Sequence, residues 1–195
     1  MRLFSRSEET DEPAGLTRRG MIFGATALAL SALLIDPDPA EAAKLVRASE
    51  RKLVLEHMHT GEKLNVVYWK HGRYIRQALK QVNHIMRDYR NNQVKPIDPK
   101  LLDLLWNLNG KLETREHYLI VSGYRSKETN RALRAHSDNV AKRSLHIQGK
   151  AIDIQIENRD ASTIRRSALA LKSGGVGYYP NSGFVHLDVG DVRSW

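Results

Sequence analysis

Residues 144–156 read Ser-Leu-His-Ile-Gln-Gly-Lys-Ala-Ile-Asp-Ile-Gln-Ile, and residues 184–189 read Phe-Val-His-Leu-Asp-Val. In the first stretch, isoleucines at 152, 154 and 156 alternate with Ala151, Asp153 and Gln155. In the second, Val185, Leu187 and Val189 alternate with Phe184, His186 and Asp188. Successive side chains of a strand point to opposite faces. Each stretch therefore predicts a strand that buries an aliphatic row and turns Asp153 or His186 the other way. If the two strands are near neighbours, a carboxylate and an imidazole converge on one side of a sheet. Asn181-Ser182-Gly183 supplies a turn before the last strand.

The surrounding chain supplies helices as well as strands. Lys52–His59 and Lys63–Trp69 are β-favouring runs on either side of Thr60-Gly61-Glu62 and predict a hairpin. Between Tyr74 and Tyr89, apolar residues fall at Ile75, Ala78, Leu79, Val82, Ile85, Met86 and Tyr89, the spacing of a helix with one buried stripe. Asp98-Pro99 is an N-cap followed by proline at the first helical position, opening a leucine-rich helix to about Leu112. Tyr118–Ser122 predicts a short strand and residues 126–137 a helix. Asp160 can cap another helix through about Lys172, stopped by Ser173-Gly174-Gly175. There is no internal repeat, so the reading is one mixed α+β domain.

The N-terminal residues read as an address. Thr17-Arg18-Arg19 precedes an uncharged stretch from Gly20 to Ile35, and Ala40-Glu41-Ala42 follows as a small-x-small cleavage site. That order predicts a signal peptide over residues 1–42, and the arginine pair suggests the twin-arginine route. The apolar run is shorter than the ~20 residues a spanning helix needs. A single domain over residues 43–195, delivered to the periplasm, is the expectation. That segment carries a net charge of +12, which suits an anionic partner. In the periplasm, wall polymer is the expected partner rather than nucleic acid. The chain has no cysteine, which excludes disulfides and thiolate metal sites and leaves histidine and carboxylate as metal ligands.

His146, Asp153 and His186 make a set of two imidazoles and one carboxylate. Zinc accepts such ligands, and three of them leave a fourth tetrahedral position for water. Hydrolysis of an amide creates a negative oxygen that needs a fixed positive donor, and Arg125, just after the Tyr118–Ser122 strand, is the candidate. Asp188, two residues past His186 on the same strand face, is a candidate general base, or a carboxylate that orients the His186 ring. Ser144 can bond near the metal or shape the loop. Tyr178, Tyr179 and Trp195 are candidates for lining a substrate groove. Arg125, Lys127, Arg131, Arg134, Lys142 and Arg143 cluster around the proposed site in sequence, as attractants for substrate carboxylates or as a solvated helix face. His57 and His59 lie two apart in the hairpin and read as a rim contact rather than a metal pair.

Residues 144–153 resemble the Ser-x-His-x-x-Gly-x-Ala-x-Asp motif of the D-alanyl-D-alanine metallopeptidase superfamily, whose zinc fold is shared with lysostaphin-type peptidases and the hedgehog signalling domain. Ser122-Gly123-Tyr124-Arg125-Ser126 resembles its Ser-Gly-[Tyr/Phe]-Arg-[Ser/Thr] segment. Gly175–Tyr179 with Phe184–Asp188 is similar to its C-terminal segment in the branch of MepK-like murein endopeptidases. The resemblance spans about residues 50–195. It implies a small antiparallel sheet flanked by helices, zinc on His146, Asp153 and His186, Arg125 stabilising the oxyanion, and peptidoglycan stem peptides as substrate. One position departs. Vancomycin-resistance dipeptidases and related carboxypeptidases carry a catalytic Glu three residues before the last histidine, where this chain has Gly183. This favours cross-link cleavage over carboxypeptidase action. It also keeps open a binding module on the same fold that lacks the chemistry. Nucleic-acid binding, argued from charge alone, leaves the His/Asp pattern unexplained.

Overall fold

A computed structural model of the protein describes residues 49–114, 116–137 and 140–195. The signal-peptide reading of residues 1–42 lies outside the described residues. Those described all belong to one unit, Pro37–Trp195.

The predicted hairpin forms from β1 (Glu50–His57) and β2 (Lys63–Lys70), paired antiparallel. A short β3 (Arg73–Tyr74) adds to β2. Helix α1 (Arg76–Ile85) buries Ala78, Val82 and Ile85, as its periodicity requires, but ends earlier than Tyr89. The Met86 carbonyl accepts from the Tyr124 amide at 2.7 Å, and Asp88 bridges to Gln93 instead of continuing the helix. In α2 (Pro99–Leu112) the Asp98 side chain caps the Lys100 amide, and the leucines from Leu101 to Leu112 face inward. β4 (Tyr118–Ser122), α3 (Lys127–Arg134) and a 3₁₀ turn over Leu145–Gln148 lead to β5 (Ala151–Ile156). Helix α4 (Ala161–Leu171), capped by Asp160 on the Thr163 amide, connects to β6 (Gly175–Tyr179), β7 (Phe184–Asp188) and a two-residue β8 (Arg193–Ser194).

The strands form one eight-stranded sheet in the order β3-β2-β1-β4-β5-β7-β6-β8. Here the structure corrects an expectation. The sheet is neither small nor wholly antiparallel, because β1 runs parallel to β4 with Leu55 opposite Tyr118, and β8 runs parallel to β6. An isolated hairpin is at best marginally stable. Joining β1 to β4 satisfies its outer backbone groups and buries Leu53 and Leu55 completely. On one face, Ile152, Ile154, Val185 and Leu187 enter a continuous core with the α2 leucines and with Ile164 and Ala168 of α4. By alternation, Asp153 and His186 stand on the opposite face. No helix among the described residues is long and apolar enough to cross a membrane.

Candidate metal centre and cleft

β5 and β7 are adjacent and antiparallel, and their register sets Asp153 directly opposite His186. His146 arrives from the 3₁₀ turn before β5. Ser144 caps that turn, its hydroxyl accepting from the His146 amide at 3.4 Å, and Gly149 ends it with φ 70°. A side chain at Gly149 would be strained by that φ and would place Cβ 2.4 Å from the Pro96 carbonyl oxygen, so glycine is required there.

The second nitrogen of each imidazole fixes its tautomer. His146 Nδ1 lies 2.7 Å from the Gly123 carbonyl oxygen, which can only accept, so Nδ1 carries the proton and Nε2 keeps its lone pair. His186 Nε2 donates to Asp188 Oδ2 at 3.0 Å, leaving Nδ1 with the lone pair. Those two free nitrogens and Asp153 Oδ1 face one another: 3.1 Å between the nitrogens, 3.2 Å from His146 Nε2 to the oxygen, and 2.8 Å from His186 Nδ1 to it. All three residues are buried. Three electron-pair donors this close repel unless positive charge lies among them. A proton between His186 and Asp153 is one remedy, and a divalent cation is the other. Ligands at about 2.0–2.1 Å from a tetrahedral zinc-sized ion would be roughly 3.3 Å apart, close to the observed triangle. The donor set fits such an ion.

The electrostatics agree with this arrangement. Burial would raise the Asp153 carboxyl, but the imidazoles of His146 and His186 hold it well below the usual carboxylate range. Burial pushes the His146 imidazole down, favouring the neutral ligand form. Burial acts the same way on His186, yet the bonds to Asp153 and Asp188 outweigh it and raise its pKa.

Asp188 is fully buried, on the far side of the His186 ring from the donor triangle. Besides His186, its carboxylate accepts from Arg193 at 2.6 and 3.1 Å and from the Gly175 and Gly190 amides at 3.1 and 2.8 Å. Burial raises its pKa, but these bonds hold it below the ordinary range. Both of its oxygens thus accept hydrogen bonds from the protein.

The triangle opens into a cleft of about 360 Å³. On its β4 side stand Arg125, Arg143 and Ser144, and on its β6–β8 side Tyr179, Phe184 and Trp195. Arg125 Nη2 donates to Ser144 Oγ at 3.4 Å, while its buried Nε has no partner. Burial lowers the Arg125 pKa and Asp153 resists that. A guanidinium still remains charged at neutral pH, so a cation with an uncommitted N–H flanks the donor triangle. Of the two tyrosines proposed for the groove, Tyr179 lines the cleft and Tyr178 does not. Tyr178 alternates with Tyr179 on β6, packs against the core and lies under Arg165 at 5.3 Å, away from the cleft. His57 is buried and His59 stacks on Tyr89 at 4.3 Å, so neither approaches the site. Two participants escape sequence reasoning: the Gly123 carbonyl and Arg193.

An α+β domain that points two imidazoles and a carboxylate at one spot, beside a buried guanidinium in an open cleft, has the parts of a metallopeptidase. A model of the M15 peptidase family described as Peptidoglycan L,D-endopeptidase MepK matches residues 46–195. The peptidoglycan L,D-endopeptidase MepK of Escherichia coli K12 is 45% identical over 178 residues, covering 91% of this chain and 96% of that protein, and the Shigella flexneri protein of the same name matches equally. A probable peptidoglycan L,D-endopeptidase MepK of Haemophilus influenzae is 40% identical over 146 residues, covering 74% and 78%. The chain belongs to the MepK family of M15 metallopeptidases.

Proposed function

We propose that this protein is a zinc endopeptidase that hydrolyses L,D peptide cross-links of peptidoglycan, on a fold of the D-alanyl-D-alanine-peptidase type. The observation that carries the proposal is the convergence of three potential ligand atoms, on His146, Asp153 and His186, at 2.8–3.2 Å from one another. The names of the relatives supply the substrate class. When bound, zinc supplies a Lewis acid that polarises a carbonyl and lowers the pKa of water towards ~7.

The protein's own residues do the rest. Asp188 holds the His186 ring so that Nδ1 would be the atom to hold the ion, and the Gly123 carbonyl holds the His146 ring so that Nε2 would be. Of the two roles open to Asp188, the orienting one suits a carboxylate already committed to four groups. Arg125 offers its free Nε–H to the oxygen that becomes negative as the amide is attacked. Ser144 keeps that guanidinium against the turn that carries His146. Gly183 stands where related carboxypeptidases carry a glutamate and supplies no base. Export fits this substrate: we read residues 1–42 as a twin-arginine leader and residues 43–195 as the periplasmic enzyme.

Digestion of purified sacculi followed by mass spectrometry of the muropeptides tests the reading. Loss of L,D-cross-linked dimers, abolished by chelation and by His146→Ala, is the expected result. Dimers left intact by the zinc-loaded wild-type protein would overturn it.

A further inference from the structure

Trp195 has 48% of its surface exposed, yet it is held in place on several sides. Its amide donates to the Val176 carbonyl at 3.2 Å and its carbonyl accepts from the Tyr178 amide at 3.0 Å, which docks the residue along β6. The indole Nε1–H donates to Tyr179 Oη at 2.9 Å. The Arg193 guanidinium, itself bound to Asp188, lies 5.0 Å from the ring centroid. Beneath the ring is Gly177, where any Cβ would come within 2.7–2.9 Å of the indole atoms, so only glycine lets the ring sit this low. The indole centroid is 5.2 Å from that of His186. Whatever binds at the donor triangle therefore lies beside it.

A large apolar surface left in water is unfavourable, and ordering it adds an entropic cost. Tethers on several sides that still leave about half of the residue exposed suit a surface awaiting a ligand. The neighbouring Tyr179 and Phe184 rings, stacked at 4.5 Å, extend the aromatic wall along the β6–β8 side. The same cleft is also lined by the cations Arg125, Arg143 and Arg193. Aromatic rings beside guanidinium groups match a side chain with an aliphatic stem and a carboxylate. A short or purely polar side chain would leave the indole uncovered.

We propose that Trp195 is a specificity-determining residue: its exposed face carries the aliphatic stem of the substrate side chain next to the cleaved bond. This rests on the peptidase reading above. Because the ring also touches His186, a purely structural role must be distinguished, and zinc content does so. The test compares the wild-type protein with Trp195→Ala and Trp195→Phe on purified cross-linked dimer, recording KM, kcat and zinc per chain. Trp195→Ala should raise KM about five- to tenfold, the size of a lost aromatic contact. It should leave kcat within about twofold and zinc stoichiometry intact, and Trp195→Phe should restore most of the affinity. An unchanged KM in Trp195→Ala, or a defect confined to zinc loss, would overturn the proposal. If the zinc-loaded wild type does not cleave the dimer, the peptidase reading has failed, and the platform is judged by equilibrium binding of the same dimer. A similar weakening in Trp195→Ala then supports it, and equal affinity refutes it.

Discussion

Asp188 and Arg125 divide the work at the residue scale, and each makes a distinct kinetic prediction. Asp188 reaches the donor triangle through the His186 ring. Replacing it with Asn should therefore weaken zinc binding about 10–100-fold, the usual consequence of removing a ligand's orienting partner. Competition with a chelator measures this. Were Asp188 instead the base, zinc affinity would be kept and only kcat would fall. Arg125→Ala should lower kcat about 10²–10³-fold with zinc retained, as for loss of one oxyanion donor, and steady-state kinetics on cross-linked dimer checks it. Sequence reasoning reached His146, Asp153, His186 and Arg125 because side chains carry their chemistry in their names. It did not reach the Gly123 carbonyl, since every residue has one and only the fold selects which is used. Tyr178 and Tyr179 look alike in sequence, and strand alternation sends one to the cleft and the other to Arg165.

At the scale of elements, the loops between strands locate the site. Gly123 packs on the end of α1, where an added Cβ would sit 2.4 Å from the Met86 carbonyl oxygen. Gly123→Ala must push apart the segment that bonds His146, so a loss of about 1–3 kcal/mol is expected together with weaker zinc binding. Thermal unfolding with and without added zinc reads both. Asp88 organises the start of α3. It is buried and accepts from the Ser126 amide at 2.8 Å and the Arg90 amide at 3.2 Å. Burial raises its pKa, but these bonds and the Thr129 hydroxyl more than offset that and hold it low. A carboxyl depressed on folding adds stability that is complete above its unfolded value near ~3.9 and fades as pH falls below it towards the folded value. Denaturant titrations should thus show a smaller stability difference between wild type and Asp88→Asn as pH falls below ~4. A constant difference would argue against the linkage. The late strands were legible because Ile152, Ile154, Ile156, Val185 and Leu187 alternate strictly. β6 was not, since Gly-Val-Gly-Tyr-Tyr has little alternation, and no local pattern announces that β1 will pair in parallel with β4.

For the whole molecule, charge and metal act together. The excess of basic residues over acidic ones in residues 43–195, with Arg125 and Arg143 at the cleft, should speed encounter with an anionic wall. Raising ionic strength from about 0.05 to 0.5 M shortens the screening length several-fold, so the initial rate on sacculi should fall while the circular dichroism spectrum stays unchanged. A rate indifferent to salt would remove charge steering from the account. The central claim is that His146, Asp153 and His186 together grip one divalent ion, and zinc titration of the purified protein tests it most directly. The wild-type chain should bind one zinc ion tightly, and Asp153→Ala, which deletes the oxygen shared by both imidazoles, should lose that binding while keeping the fold. Equal tight binding by Asp153→Ala, or none by the wild type, would contradict it.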